Sequence, residues 1–353
     1  MDPERARFQR QVALPDVGLE GQRRLAEARV LVVGAGGLGC PAALYLAAAG
    51  IGTIGLADDD TVAESNLHRQ VLYTPADVGR SKTEVAQERL RALDDQVNLV
   101  QHPAVTADNA RDLVAGYHIV LDGTDNLDAR YLLADACVLE EVPLVHGSLY
   151  RHEAQVSLFH PPAGPCYRCL YPTYPSRPLA DCATAGVLGV LPGLVGTLMA
   201  TEAVKHIVGF GRSLAGRLLL YDAAAMAFDE IAVPKRPDCA LCGPDPTITD
   251  VEPSVPSVTP ADLDALLADG ALLVDIRGAG QAGVLPGARR VEADHVGGLE
   301  HDGVVVVACQ RGISSQAAVR SLRARGVDAV SLAGGVEGWV GFNAARPRSM
   351  ARP

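Results

Sequence analysis

Aromatic residues make up only 4% of this 353-residue sequence, with a single tryptophan, so a core must be built mostly from alanine, valine and leucine. Positive charge is also scarce: 42 acidic residues face 31 lysines and arginines, a net charge of −11. Such a chain lacks the basic face that non-specific nucleic-acid or anionic-membrane binding needs, so neither partner is expected. No apolar stretch follows the opening residues 1–10 (MDPERARFQR), which predicts no secretory signal and a cytoplasmic protein. In that reducing setting the eight cysteines read as metal ligands, nucleophiles or small buried groups rather than disulfides. Unbroken hydrophobic spans are missing as well. Val30–Ala57 and Ala183–Thr201 are uncharged, but seven glycines punctuate the first and Pro192 interrupts the second. Neither is expected to cross a bilayer.

What is present is ample apolar content: 48% hydrophobic against 21% charged residues, which excludes a disordered chain. At roughly 150 residues per domain the length suggests two domains. Between Pro234 and Pro260 the sequence carries seven prolines and little periodic apolar pattern, a composition that stays extended. The expected organisation is a large domain over 1–245, a linker over 246–256 and a smaller domain over 257–346. Both domains alternate strand-like and helix-like runs, so the fold class is α/β with mostly parallel sheets and crossover helices.

Arg29–Val33 reads as a buried strand and Cys40–Ala49 as a helix. The turn between them, Gly34-Ala35-Gly36-Gly37-Leu38-Gly39, is a GxGxxG motif at a strand-to-helix junction. Glycines there let backbone approach a phosphate at a helix N-terminus. A second strand, Thr53–Ala57, ends at Asp58, where an acid for ribose hydroxyls belongs. The motif alone leaves NAD and ATP open. Downstream, Arg69 follows the run Asp58-Asp59-Asp60, Lys82 opens a helix, and Asp125 and Asn126 follow the apolar strand Ile119–Leu121. In a Rossmann-like topology, strand C-termini converge on one crevice. Arg69, Lys82 and Asp125 would meet there at the phosphates, with Asp125 offering hard oxygens to Mg²⁺.

Arg7-Phe8-Gln9-Arg10-Gln11, the GAGGLG turn, DDDTVAESNLHRQ (58–70) and TDN (124–126) resemble the MoeB/ThiF family, whose members adenylate small sulfur-carrier proteins. The likeness covers about residues 4–245. It implies a Rossmann-like ATP-binding domain in which Asp58 takes the ribose, with Asp60 and Asn126 beside the nucleotide. Asn66, Arg69 and Lys82 would hold the triphosphate and Asp125 the Mg²⁺. Arg10 would reach the phosphates of the other subunit of a homodimer. His152-Glu153-Ala154-Gln155 departs from the family by alanine in place of glycine.

Cys166-Tyr167-Arg168-Cys169 and Cys239-Ala240-Leu241-Cys242 are two CxxC pairs. This spacing lets both thiolates of a pair face one ion, and two pairs complete a tetrahedral Cys₄ zinc site with no open position, hence a structural one. Cys40 and Cys137 lie in apolar helix-like runs and are expected to be core residues. Cys182 stands where relatives carry a thiol in a crossover loop, which implies either capture of the activated carrier or a spectator.

Gly303–Ala308 reads as a buried strand leading through Cys309-Gln310-Arg311-Gly312-Ile313-Ser314-Ser315 into a helix ending near Arg325. A cysteine between a strand end and a helix N-terminus is placed to favour its thiolate. Leu273–Arg277, Leu285–Ala288, this loop and Leu332–Trp339 resemble a rhodanese-like sulfurtransferase domain. The resemblance implies that Cys309 carries a persulfide. The short stretch between Arg277 and Leu285, and Ile313 where relatives often place a cation, argue against strong activity with thiosulfate. Arg277 beside Asp275 is read as an ion-pair residue.

Together the two resemblances imply ATP-dependent adenylation of a β-grasp-like sulfur-carrier protein ending in Gly-Gly, then sulfur transfer to give a thiocarboxylate. The sulfur donor would be a cysteine desulfurase or thiosulfate. Two other readings stay open at this point: a C-terminal docking module with Cys309 idle, and an NAD-dependent oxidoreductase.

Overall fold

Two short apolar runs form β1 (Arg29–Val33) and β2 (Thr53–Ala57), with the bounds their pattern predicts. They belong to a computed structural model that describes residues 2–161, 163–173, 186–251, 255–278, 285–310, 312 and 314–345. The chain divides into one unit from Met1–Pro172 and Asp181–Glu252, and another from Thr173–Ala180 and Pro253–Pro353.

In the first unit β1 and β2 are joined by β3 (Asn98–His102), β4 (Ile119–Asp122), β5 (Leu144–Tyr150), β6 (Glu153–Phe159), β7 (Arg217–Asp222) and β8 (Ala227–Ala232). The order is β3-β2-β1-β4-β5-β6-β7-β8, parallel through β5 and antiparallel beyond it. Strand order reverses between β1 and β4, the position where an open α/β sheet leaves a crevice beyond its strand ends. The helices are α1 (Gln9–Val12), α2 (Gly18–Glu27), α3 (Gly39–Ala49), α4 (Lys82–Leu93), α5 (Ala110–Ala115), α6 (Leu127–Leu139), α7 (Tyr167–Leu170) and α8 (Leu191–Val208). Val32, Ile54 and Leu121 of the sheet pack with Leu46 of α3 and Val195 and Met199 of α8 in one apolar core. Aliphatic residues and alanine dominate it, as the aromatic shortage requires.

Pro192 does not break a span but occupies the first turn of α8, where its missing N–H costs nothing. Among the described residues no helix is long and apolar enough to cross a membrane. Cys40 and Cys137 are buried, and burial pushes the Cys40 thiol up to about 12. The expected linker begins later than the prolines suggest. The amides of Thr247 and Ile248 both donate to the Ala240 carbonyl at 2.8 Å, and Asp250 meets Arg111 at 3.2 Å. Proline removes local periodicity without preventing these fixed tertiary contacts.

The second unit is a parallel sheet of β9 (Ser257–Val258), β10 (Leu272–Asp275), β11 (Arg289–Arg290), β12 (Val305–Ala308) and β13 (Ala329–Leu332) in the order β11-β10-β12-β13-β9. Its helices are α9 (Leu263–Ala268), α10 (Ser314–Arg323) and α11 (Gly335–Ala345). Strand β12 is wholly buried, so its uninterrupted valines fit a central parallel strand. It and α10 are each two residues shorter than the sequence reading.

Candidate active site

The glycine turn follows β1 and closes on itself. Gly34 has φ +87°, a left-handed conformation, and a side chain on Gly39 would collide with the Gly34 carbonyl oxygen. Gly39 is therefore a packing glycine at the start of α3. Gly34, Gly36 and Gly37 instead line a cleft of about 320 Å³ at the strand-order reversal.

Asp58 anchors the opposite wall. Its Oδ2 accepts the Ala35 amide at 2.7 Å and its Oδ1 accepts the Asp60 amide at 2.8 Å. Burial raises its pKa, with Lys82 opposing. Ser81 caps α4, and this puts Lys82 at the cleft with only 4% of its surface exposed. The Lys82 ammonium donates to Asp60 at 2.6 Å and lies 3.9 Å from Asp58. Its charge is compensated by acids that are themselves cleft residues, so an incoming anion meets a cation already held in place.

Arg69 lines the same cleft, steered by Asn66, whose Oδ1 accepts from the guanidinium at 2.6 Å. Asn66 is not itself a lining residue. Asp125 is exposed at the cleft mouth. Asn126 lines it too, but its Oδ1 is engaged as the N-cap of α6, accepting from Ala129 at 2.8 Å. Arg10 on α1 is exposed and does not line this cleft.

Three cleft supports escaped the sequence reading. Arg130 lines the cleft from the first turn of α6, donating to the Thr124 carbonyl and to Ser148 Oγ, both at 2.9 Å. Its spacing four residues after Asn126 was the available signal. Beneath the turn, Asp122 accepts the Thr124 amide and hydroxyl at 3.0 and 2.6 Å. His146 Nδ1 lies 2.8 Å from Asp122 Oδ2. Burial pushes His146 down. Burial would raise Asp122, but the His146 hydrogen bond leaves it below the usual carboxylate range. An ionised Asp122 accepting from neutral His146 satisfies both.

The two CxxC pairs meet. Sulfur–sulfur distances are 3.5 Å for Cys166–Cys239 and Cys169–Cys242 and 3.9 Å for Cys166–Cys169, with all four atoms within 4.8 Å of one another. A tetrahedral ion with Zn–S bonds of ~2.3 Å needs sulfur atoms about 3.8 Å apart, so the thiols fit zinc. Burial raises the Cys166 thiol, so its thiolate form needs a cation beside it.

In the second unit Cys309 follows β12 and is 5% exposed. Its sulfur lies 3.4 Å from Ser315 Oγ, which pairs with Ser331 Oγ at 2.7 Å. Arg277 is an ion-pair residue, as expected, donating to both carboxylate oxygens of Asp275. Its remaining reach is toward Gln310, at 3.3 Å. Cys182, Arg311 and Ile313 lie outside the described residues.

Residues 8–241 match the model of the ThiF family, and residues 259–341 that of the rhodanese-like domain. The chain belongs to the ThiF family. It is 50% identical over 248 residues to the sulfur carrier protein adenylyltransferase of Thermus thermophilus, covering 68% of this chain and 92% of that protein. It is 42% identical over 381 residues to the adenylyltransferase and sulfurtransferase MOCS3 of Anopheles gambiae, covering 95% of this chain and 86% of that one. A crystal structure of E. coli MccB with MccA-N7isoASN shares the fold at TM-score 0.58 and 22% identity, over 67% of this chain and 74% of MccB. Membership in the ThiF family settles the choice the glycine turn left open in favour of ATP over a dinucleotide.

Proposed function

We propose that this chain uses ATP to adenylate the C-terminal Gly-Gly of a small ubiquitin-like sulfur-carrier protein, then transfers sulfur from Cys309 to give a thiocarboxylate. The observation that carries the first half is the convergence of Lys82, Arg69 and Asp125 on the cleft formed by Gly34, Gly36 and Gly37. The named relatives, one matched along 95% of this chain, support the pairing of both halves.

Asp58 takes the ribose hydroxyls, and Arg69 and Lys82 hold the phosphates, with Asn66 steering Arg69. Asp125, with Asp60 and Asn126 nearby, would hold Mg²⁺, and the ion would supply positive charge against the phosphates. The carrier's terminal carboxylate oxygen attacks the α-phosphorus, the bond to the β-phosphate oxygen breaks, and pyrophosphate leaves. No side-chain base is needed, because that carboxylate is ionised near neutral pH. Charge growing on the phosphate oxygens is met by cations already in place. Arg10 of a second copy completes the site in a homodimer.

Cys309 receives sulfur as a persulfide from a donor such as a cysteine desulfurase or thiosulfate. Its terminal sulfur attacks the acyl-adenylate carbonyl and AMP leaves. A second thiol, Cys182 in our reading, attacks the Cys309 sulfur, releases the thiocarboxylate and leaves a disulfide that an external thiol must reduce. Zinc at the four thiols is structural. The test is ATP–pyrophosphate exchange with carriers ending in Gly-Gly. Exchange that depends on an intact tail supports the reading, and none with any such carrier overturns it.

A further inference from the structure

We infer that Tyr167 and Arg168, the two residues between the first pair of thiols, are positioning residues that transmit the geometry of the four-thiol cluster to the nucleotide cleft. The inference rests on the reading of that cleft as an ATP site.

Arg168 is 7% exposed, and its Nε and Nη2 donate to the two oxygens of Asp135 at 2.7 and 2.6 Å. Its guanidinium also sits 4.9 Å from the Tyr131 ring centroid. Both partners are on α6, the helix whose first turn supplies Arg130 to the cleft. Arg130 in turn donates to the Thr124 carbonyl. Tyr167 takes a second route. Its ring meets His146 edge-on at 5.1 Å, and His146 holds Asp122, which accepts the Thr124 amide and hydroxyl. The two routes converge on one residue, at the amide and the carbonyl of Thr124, next to Asp125.

The physical argument is one of rigidity. Helix α7 is four residues long and cannot hold its own shape by propensity. Its two bracketing thiols fix it when they share an ion with Cys239 and Cys242. A buried, two-pronged ion pair and an edge-on aromatic contact are short-range and directional, so they pass a displacement on rather than absorb it. When the thiols separate, Arg168 and Tyr167 shift, and the turn carrying Asp125 loses its support. The Gly34–Gly39 turn packs on Gly123 and Thr124 but is also anchored by Asp58, which accepts the Ala35 amide, so it depends less on either route.

The experiment uses the full chain, loaded with zinc, stripped of it, and restored with zinc chloride. ATP dissociation constants and amide hydrogen exchange are measured in each state, for the native sequence and for Asp135→Asn. Stripping is expected to weaken ATP about tenfold, to speed exchange over 122–130 more than over 34–39, and to be reversed by zinc. In loaded Asp135→Asn the affinity is already lowered, and stripping adds little more. Unchanged affinity and exchange on stripping overturn the inference. So does uniform loosening of the whole unit, or an equal effect in both proteins. If Asp135→Asn does not fold, the exchange map of the native chain decides. If the loaded native chain binds no ATP, the ATP reading falls, while the exchange map still tests the link to 122–130.

Discussion

The Lys82 ammonium lies 2.6 Å from Asp60 Oδ2 with almost none of the lysine exposed. The pair holds a desolvated cation at the cleft lined by Gly34, Gly36 and Gly37, and in the proposed reaction that charge faces the phosphates of ATP. Lys82→Ala should lower pyrophosphate exchange by about 10²–10³-fold, the magnitude of losing one fixed charge-stabilising group. Equal exchange in the variant would remove Lys82 from the chemistry.

Cys309 lies in a different unit from the cleft, which separates the two halves of the proposed reaction genetically. Cys309→Ala should retain carrier-dependent pyrophosphate exchange within about twofold and abolish thiocarboxylate formation, read by the mass of the carrier. Undiminished sulfur transfer would instead make the C-terminal unit a docking module.

The four-thiol geometry predicts about one zinc per chain. Cys239→Ser should lose that metal and lower the thermal midpoint by several degrees, since metal-binding energy at a structural site is folding energy. A midpoint indifferent to both chelator and substitution would rule out a structural ion.

The buried His146–Asp122 pair gives the first unit an acid sensitivity of calculable sign. Burial holds His146 below its ordinary ~6.5 in the folded state, so the unfolded chain binds its proton first as pH falls. The stability from neutral His146 is complete above that value and is lost progressively below it. Asp122, held low, adds its loss at lower pH still, below the ordinary carboxylate value. The thermal midpoint should fall between about pH 7 and 5, and His146→Gln should flatten that slope. Identical slopes would mean another group controls the acid limb.

Elements whose meaning is local were readable in advance. β1 is an aliphatic run ended by a glycine and β2 a short apolar strand ended by an acid, and the thiol pairs carry their geometry in their spacing. Residues whose meaning depends on tertiary neighbours were not. Asn126 is a helix cap as well as a cleft residue, a distinction set by the backbone of α6. Asp122, His146, Tyr167 and Arg168 are far apart in sequence and gain significance only where β4, β5 and α7 meet. The late start of the linker likewise rests on Thr247 and Ile248 reaching back to Ala240, a contact no proline count reveals.

That docked stretch makes the four thiols a clasp on the leash between the catalytic halves. With Cys239 and Cys242 fastened, the chain is held on the first unit as far as Asp250. Unfastened, the residues from Pro234 to Asp250 would keep only their hydrogen bonds and the Arg111–Asp250 ion pair, and the cord could lengthen. Oxidants that attack those sulfurs would therefore change how often donor and acceptor collide, besides loosening the turn that carries Asp125.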